Sequence, residues 1–227
     1  MIAKRRKNMN FQTSGANLYY EQYGSGEPLI LLHGNGEDHK IFDKAIPLLQ
    51  RIFTVYAIDT RGHGQSSPVS EFHYDDMAQD IYEFITGMNL EKPTVYGFSD
   101  GGIVALLLAI RYPELMTRII ISGANSTPYG IENRWRTLFK LIYMVTKKPQ
   151  FRLMLEEPNI PDHQLASIKI PVFATAGTKD MIKLSHTQRI VNTIPGCEAN
   201  IFIGEGHSGY VVHSEKIAKY ILDVCGK

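Results

Sequence analysis

Ser99 lies among small residues in the stretch VYGFSDGG, residues 95–102. Residues 97–101 match the pattern G-x-S-x-G, a sharp strand-to-helix turn that exposes a serine hydroxyl. Glycine is unfavourable inside regular structure and is common where the backbone turns sharply or another group comes close. The pattern by itself also fits an ordinary tight turn, so chemistry at Ser99 requires partner residues elsewhere in the chain.

Two later motifs supply such partners. A serine hydroxyl becomes an effective nucleophile when a histidine takes its proton and a carboxylate orients that histidine. His207 in EGH is the predicted base, with His213 as its rival, and Asp180 in GTKD is the predicted acid. The chain order Ser, Asp, His is the one associated with G-x-S-x-G. Helix capping remains an alternative role for Asp180.

Apolar strand-like runs alternate with helical patterns along most of the chain. The predicted strands are 18–23, 28–32, 54–58, 94–98, 118–122, 170–176 and 199–203. The predicted helices are 42–50, 74–88, 102–112, 184–193 and 213–224. This alternation predicts an α/β fold with a mostly parallel, doubly wound sheet and helices on both faces.

Five loops that carry reactive or glycine-rich sequence each follow a predicted strand. They are HGNG at 33–36, DTRGHGQS at 59–66, GFSDGG at 97–102, GTKD at 177–180 and EGH at 205–207. In an open parallel sheet, ligands bind outside the carboxyl ends of the strands. All five loops should therefore lie at one edge of the sheet, which predicts that Ser99, Asp180 and His207 meet.

Regular alternation stops between residues 125 and 167, which are polar with an amphipathic middle. This segment is predicted to be a short cap inserted into a core made of residues 1–124 and 168–227. Trp135 and Phe139 in the cap are candidates for the wall of an apolar substrate pocket. Packing of the cap onto the core is the alternative role for both.

With these motifs in place, the chain resembles the α/β-hydrolases over essentially its whole length. Within that superfamily, GFSDGG together with Gly-Ala-Asn at 123–125 resembles the biphenyl-hydrolase-like (valacyclovirase-like) serine esterases. The resemblance implies a catalytic triad of Ser99, Asp180 and His207. It also implies an oxyanion hole formed by the backbone N–H groups of Asn35 and Asp100.

The expected activity is cofactor-independent cleavage of a small-molecule carboxylic ester or related acyl compound through an acyl-enzyme. Carbon–carbon bond hydrolysis and perhydrolase or haloperoxidase activity on the same triad remain alternatives, as does ligand binding without turnover. Phe98 and Asp100 are further candidates for substrate contact. The Asp100 carboxylate either pairs with a substrate cation or only stabilises the start of its helix.

Composition and charge limit the classes of binding partner that are expected. A formal net charge of +1 gives no global case for a nucleic acid or a membrane. Two cysteines and a polar stretch after the basic start MIAKRRKNMN favour a cytoplasmic protein, with Met1 or Met9 as its first residue. No cluster with metal-ligand spacing is present in the sequence, so no metal is expected. His39 and His186 lie in polar surroundings and are predicted to be solvent-exposed; oligomeric state is left open.

Overall fold

A computed structural model describes residues 7–227, and for Lys7 and Asn8 it describes the backbone alone. Met1 and the basic residues Lys4, Arg5 and Arg6 lie outside this range. The strands are β1 Lys7–Gln12, β2 Asn17–Gly24, β3 Glu27–Leu32, β4 Phe53–Ile58, β5 Thr94–Phe98, β6 Arg118–Ser122, β7 Val172–Lys179 and β8 Glu198–Gly206. The helices are α1 Ile46–Leu49, α2 Tyr74–Gly87, α3 Asp100–Arg111, α4 Asn133–Thr146, α5 Pro149–Glu156, α6 Asp162–Leu165, α7 Leu184–Thr193 and α8 Lys216–Val224.

The eight strands form one sheet in the order β1-β2-β4-β3-β5-β6-β7-β8. Strands β3 to β8 run parallel, whereas β2 pairs antiparallel with both β1 and β4. Leu32 pairs with Gly97, Phe98 with Ser122, and Ser122 with Thr175. The carboxyl ends of β3, β5, β6 and β7 are therefore in register, and the predicted mostly parallel α/β architecture is confirmed.

Each face of the sheet has its own hydrophobic core. Ile30 and Leu32 pack with side chains of α2, α3 and α7, and Leu29 and Leu31 pack with side chains of α1 and α8. Successive strand residues point to opposite faces, so a strand covered on both sides is a continuous apolar run. All four side chains are at most 1% exposed. The helices on both faces thus hold the strand ends rigidly in place.

Two predicted helices differ from those observed. The helix predicted over 42–50 is split into a 3₁₀ turn at His39–Phe42 and the short α1, which contains Pro47 in its first turn. Proline lacks an N–H and disfavours helical backbone in the residue before it, so one continuous helix cannot form there. The last helix begins at Lys216 rather than at His213, whose φ of +50° is left-handed.

The segment between β6 and β7 contains a 3₁₀ turn at Pro128–Gly130, followed by α4, α5 and α6. Helices α4 and α5 pack against each other beside the carboxyl ends of the strands, where α5 contacts the loop after β3. The division of the chain into a core and a cap at residues 125–167 stays a prediction. Among residues 7–227, every helix is too short or too polar to cross a lipid bilayer.

Candidate active site

The turn between β5 and α3 holds Ser99 in an unusual backbone conformation, with φ +52° and ψ −113°. Such a conformation typically costs about 1–3 kcal/mol and persists only when its surroundings enforce it. A Cβ atom at Gly97 would lie 2.1 Å from the carbonyl oxygen of Gly101, and one at Gly101 would lie 2.4 Å from that of Leu32. Glycine is required at both positions, because the turn brings three backbone segments into contact.

The structure brings the three predicted side chains together. His207 Nε2 lies 3.1 Å from Ser99 Oγ, and His207 Nδ1 lies 2.6 Å from Asp180 Oδ1. The Asp180 side chain is fully buried. This geometry assigns the Nδ1 proton to the bond with Asp180 and leaves Nε2 free to accept the serine proton.

Several groups hold Asp180 ionised. Burial opposes ionisation, but the bonds from His207 and from the backbone N–H groups of Ile182 (2.9 Å) and Gly177 (3.3 Å) lower the pKa of Asp180 below its ordinary value. Asp180 precedes α7 by several residues and makes no capping bond to it. Its bonds therefore match the orienting role rather than the alternative of a helix cap.

Gly123, at the end of β6, lies directly against the imidazole. It has φ +58°, and a Cβ atom there would lie 2.7 Å from His207 Cε1. The ring of His207 thus occupies the space in which a side chain at position 123 would lie. The rival base, His213, is instead paired with Asp43 at 2.9 Å on the surface.

Two backbone N–H groups are candidates for the donors of an oxyanion site. Asn35 follows β3 and Asp100 is the first residue of α3, and neither amide donates to a protein acceptor within residues 7–227. The N-terminus of α3 carries partial positive charge at the same place. Developing negative charge on a substrate oxygen beside Ser99 would therefore find unused donors.

The Asp100 carboxylate is buried and does not line the cavity described below. It accepts hydrogen bonds from Asn35 Nδ2 and from the Tyr74 hydroxyl, both at 2.8 Å. Burial raises the pKa of Asp100, and these two bonds oppose that shift. The carboxylate thus links the side chain of Asn35 to the first residue of α3, the two residues predicted to supply the oxyanion donors.

A cavity of about 590 Å³ opens beside Ser99 and His207. Two of the candidates for substrate contact, Phe98 and Phe139, line this cavity. Trp135 does not: its ring packs on that of Phe139 at a centroid distance of 6.4 Å and supports the wall from behind. The remaining apolar wall comes from Met181 and from α5, none of which the sequence patterns indicated.

Glu37 is a cavity residue that the sequence analysis missed. Its Oε2 accepts a hydrogen bond from the Gly34 amide at 3.0 Å, and burial raises its pKa. An ideal Cβ on Gly34 would lie 2.8 Å from Glu37 Oε2 and 3.1 Å from Ser99 Cβ, so both side chains border the same small space. The available signal was its position directly after the HGNG turn.

The loop after β4 has a bracing role. Asp59 Oδ1 accepts hydrogen bonds from His39 N and Nδ1, both at 2.7 Å, and Oδ2 accepts one from Gln65 N at 2.8 Å. Ligand atoms of Asp38, His39 and Asp59 lie within 4.8 Å of one another. Both Asp59 oxygens are already engaged by N–H donors, which describes a brace rather than an open metal site.

Two histidine predictions were wrong. His39 is buried beside Asp59, and His186 is buried on α7, where its Nε2 accepts a hydrogen bond from Ser126 N at 3.0 Å. Burial lowers the pKa of His186 to about 4. Their polar sequence neighbours were misleading because each imidazole serves as a partner for a buried polar group.

Comparison with known proteins gives a consistent family. The family model described as alpha/beta hydrolase fold matches residues 27–149. The chain is 35% identical to the human serine hydrolase BPHL, over 92% of this chain and 83% of that protein. It is 29% identical to the AB hydrolase superfamily protein YisY of Bacillus subtilis, over 90% of this chain and 93% of that protein.

A solved structure has the same fold. The carboxylesterase CesB (YbfK) from Bacillus subtilis superposes with a TM-score of 0.82, covering 98% of this chain and 93% of that one. At 18% sequence identity, this likeness concerns the fold alone.

Proposed function

The chain belongs to the α/β-hydrolase family, and from this premise we propose that it is a serine hydrolase that cleaves a carboxylic ester through an acyl-enzyme on Ser99. The observation that carries the proposal is the hydrogen-bonded series from Ser99 Oγ through His207 to Asp180, at 3.1 and 2.6 Å. This series supports the proposal because a serine hydroxyl becomes an effective nucleophile when a histidine oriented by a carboxylate can take its proton.

In the proposed acylation step, Ser99 Oγ attacks the ester carbonyl carbon and its proton moves to His207 Nε2. Asp180 stabilises the imidazolium that forms, since its carboxylate accepts the Nδ1–H bond. The carbonyl oxygen becomes an oxyanion that accepts hydrogen bonds from the amides of Asn35 and Asp100. Each such donor is typically worth on the order of 3–4 kcal/mol in acyl transfer.

The tetrahedral intermediate then collapses, and the alcohol leaves with the proton from His207. A water molecule repeats the sequence in deacylation: His207 takes its proton, the hydroxide attacks the acyl carbon, and Ser99 recovers its proton. Both steps use one base and one oxyanion site, so this chain's residues supply every proton position that ester hydrolysis needs.

The cavity supports a small to medium, largely apolar substrate. Phe98 and Phe139 provide aromatic walls, and Met154 and Met181 provide flexible ones. Glu37 is the acidic group that borders the space beside Ser99. A substrate with a hydroxyl or amide donor near its carbonyl group could satisfy that carboxyl.

A fluorophosphonate probe tests the proposal. We expect it to label the wild-type protein and not Ser99→Ala, and we expect the wild type alone to hydrolyse p-nitrophenyl acetate. Absence of both labelling and turnover in a folded wild-type protein would instead indicate a binding protein. Turnover of a ring-cleavage dienoate in preference to every ester in a panel would assign carbon–carbon hydrolysis.

A further inference from the structure

The cationic residues of this chain are unevenly distributed. Residues 133–152 contain six Lys and Arg and no Asp or Glu, although the whole chain has a net charge of +1. The other 207 residues therefore hold 18 Lys and Arg against 23 Asp and Glu. Of the six cationic side chains, only Arg152 forms an ion pair within the described part of the chain. The strong local charge belongs to α4 and the start of α5.

The outward face of α4 is also apolar. Leu138, Leu141 and Val145 are spaced at i, i+3 and i+7 and so lie along one side of the helix, with Met144 beside them. The exposed fractions are 41% for Leu138, 52% for Leu141, 50% for Met144 and 85% for Val145. Exposed apolar side chains that cluster on one element mark an interaction surface more often than scattered ones do.

Cationic groups frame this apolar stripe. Arg134 lies one helical turn before Leu138 on the same side of α4, and Lys148 follows the end of the helix. Lys140 lies one helical turn before Met144, at the edge of the face that is farthest from Leu138 and Val145. We define the α4 outer face as Arg134, Leu138, Lys140, Leu141, Met144, Val145 and Lys148. An apolar stripe with basic residues around it is typical of helices that lie in the surface of an anionic bilayer.

The opposite side of the same helix faces the candidate active site. Phe139 is buried and lines the cavity beside Ser99, and Lys148 lies at its border. A helix with its side chains is about 10–12 Å across. A surface that covers the α4 outer face would therefore lie within about one helix diameter of the cavity.

The shape and the charge of the α4 outer face indicate which kind of surface could bind there: a second copy of the chain, a partner protein or a lipid bilayer. Two copies of this chain would bring identical cationic faces together, which like charges oppose. A single convex helix, with Val145 85% exposed at its end, offers no groove for a partner protein's side chains. A bilayer accepts a convex apolar ridge, and anionic headgroups complement the surrounding Lys and Arg.

We propose that the α4 outer face docks on an anionic phospholipid membrane surface, with its apolar side chains inserted at the level of the headgroups. The association is peripheral and does not depend on the proposed esterase activity. It would place the cavity mouth at the membrane, where amphiphilic molecules concentrate. The net charge of the whole chain conceals this surface because the acidic remainder cancels it.

Vesicle partitioning of the full chain tests the proposal. We expect binding to vesicles of phosphatidylcholine with one third phosphatidylglycerol, weak binding to pure phosphatidylcholine, and weaker binding as salt screens the charges. The only tryptophan of the chain, Trp135, lies on α4 and serves as a reporter. Because its ring packs on Phe139 and not within the α4 outer face, its emission wavelength should change little on binding, whereas brominated lipid should quench it partially at this short distance from the bilayer.

Matched variants localise the binding. Val145→Glu should weaken partitioning about tenfold or more, because it places a carboxylate in the inserted stripe. Ile203→Glu makes the same change in charge at an equally exposed apolar position, 83% exposed on edge strand β8, and should bind like the wild type. The double variant Arg134→Gln/Lys140→Gln, which keeps the stripe, should weaken binding about tenfold and reduce its dependence on salt. Thermal melting of each variant checks that the fold is retained.

Several results would overturn the proposal. Equal partitioning of the wild type and Val145→Glu would remove α4 from the binding surface. Equal binding to both vesicle types would remove the anionic lipid. Binding to poly-L-glutamate without vesicle binding would indicate an acidic protein, and a dimer that Val145→Glu dissociates, again without vesicle binding, would indicate a second copy.

Discussion

Two regions meet at the same cavity but are held by different means. One is the strand-end rim, the loops that follow β3, β5, β7 and β8, and the other is the α4–α5 segment, residues 125–156. In the rim, Ser99, Asp180 and His207 follow or end three parallel strands whose register is fixed by backbone bonds. The segment is tied to the core by individual bonds, such as Ser126 N to His186 and Asn35 Nδ2 to the carbonyl oxygen of Gln150. The position of the strand-end rim is fixed by the whole sheet, whereas the position of the α4–α5 segment depends on a few hydrogen bonds that involve side chains.

This difference predicts that polar substitutions in the rim lower the rate of catalysis, while those at the bonds that hold the α4–α5 segment change stability or its pH dependence. The largest effect is expected for Asp180→Asn. It should lower kcat for ester hydrolysis by about 10⁴-fold, because an amide favours the wrong tautomer of His207. The measurement is p-nitrophenyl ester turnover at saturation. Asp162→Asn, at an exposed position, is the matched control, and similar rates for both variants would contradict the triad.

The next largest effect is expected for His186, whose Nε2 accepts the hydrogen bond from Ser126 N that holds the α4–α5 segment to the core. Its pKa of about 4 in the folded protein lies below the ordinary 6.5, so the unfolded chain binds a proton that the folded chain does not. Stability should therefore fall as pH drops from about 6.5 towards 4, by on the order of 2–3 kcal/mol from this residue. In His186→Gln, the urea midpoint should fall less over that window. His163→Gln, on the surface, should match the wild type, and an unchanged pH dependence in His186→Gln would refute the assignment.

A smaller effect on catalysis is expected for Asp100→Ala. Loss of the carboxylate leaves the Tyr74 hydroxyl without its acceptor and leaves Asn35 Nδ2 with only the longer bond to Gln150, which loosens the proposed oxyanion site. We expect kcat to fall about 10- to 100-fold, or about 1.4–2.7 kcal/mol, because both donors remain but are less well positioned. The fall should be equal for an amino-acid ester and its neutral analogue. A loss confined to the cationic ester would instead make Asp100 a substrate ligand; Asp223→Ala is the exposed control.

The smallest effect is expected at the outer tie of α5. His73 Nδ1 lies 2.7 Å from Glu157 Oε1, and this bond raises the pKa of His73. Stability from the charged pair is present below the unfolded pKa and is lost as pH rises through the higher folded value. Because both side chains are partly solvated, His73→Ala should destabilise by only about 0.5 kcal/mol at pH 5.5 and less at pH 8.5. Guanidinium unfolding at both pH values measures this, and a larger loss at the higher pH would contradict it.

Sequence reasoning succeeded where a feature follows from the strand pattern. Apolar runs such as 28–32 and 94–98 predicted buried parallel strands, and their carboxyl ends predicted which loops meet. His207 and Ser99 are 108 positions apart, yet strand order alone brought them to one edge. Residues placed by backbone register are predictable because register depends on the alternation of many side chains.

The α4–α5 segment was less predictable for the same physical reason. Trp135 and Phe139 are four residues apart on α4, yet only Phe139 lines the cavity, because the rotation of α4 about its axis depends on packing against α5. His186 and Glu37 were missed or misassigned because their partners, Ser126 N and Gly34 N, are backbone groups. A backbone N–H donor is present in every residue except proline, so the sequence does not indicate which one will bind a given side chain.

Gly123 limits how this site could be redesigned. The acid could be transferred from β7 to β6 on paper, with Gly123→Asp and Asp180→Asn, since both strands end beside the same imidazole. The new Cβ would occupy space already taken by the ring, 2.7 Å from its Cε1. Relocating the carboxylate would thus require the imidazole to move from its place beside Ser99, which is the place that the proposed mechanism needs.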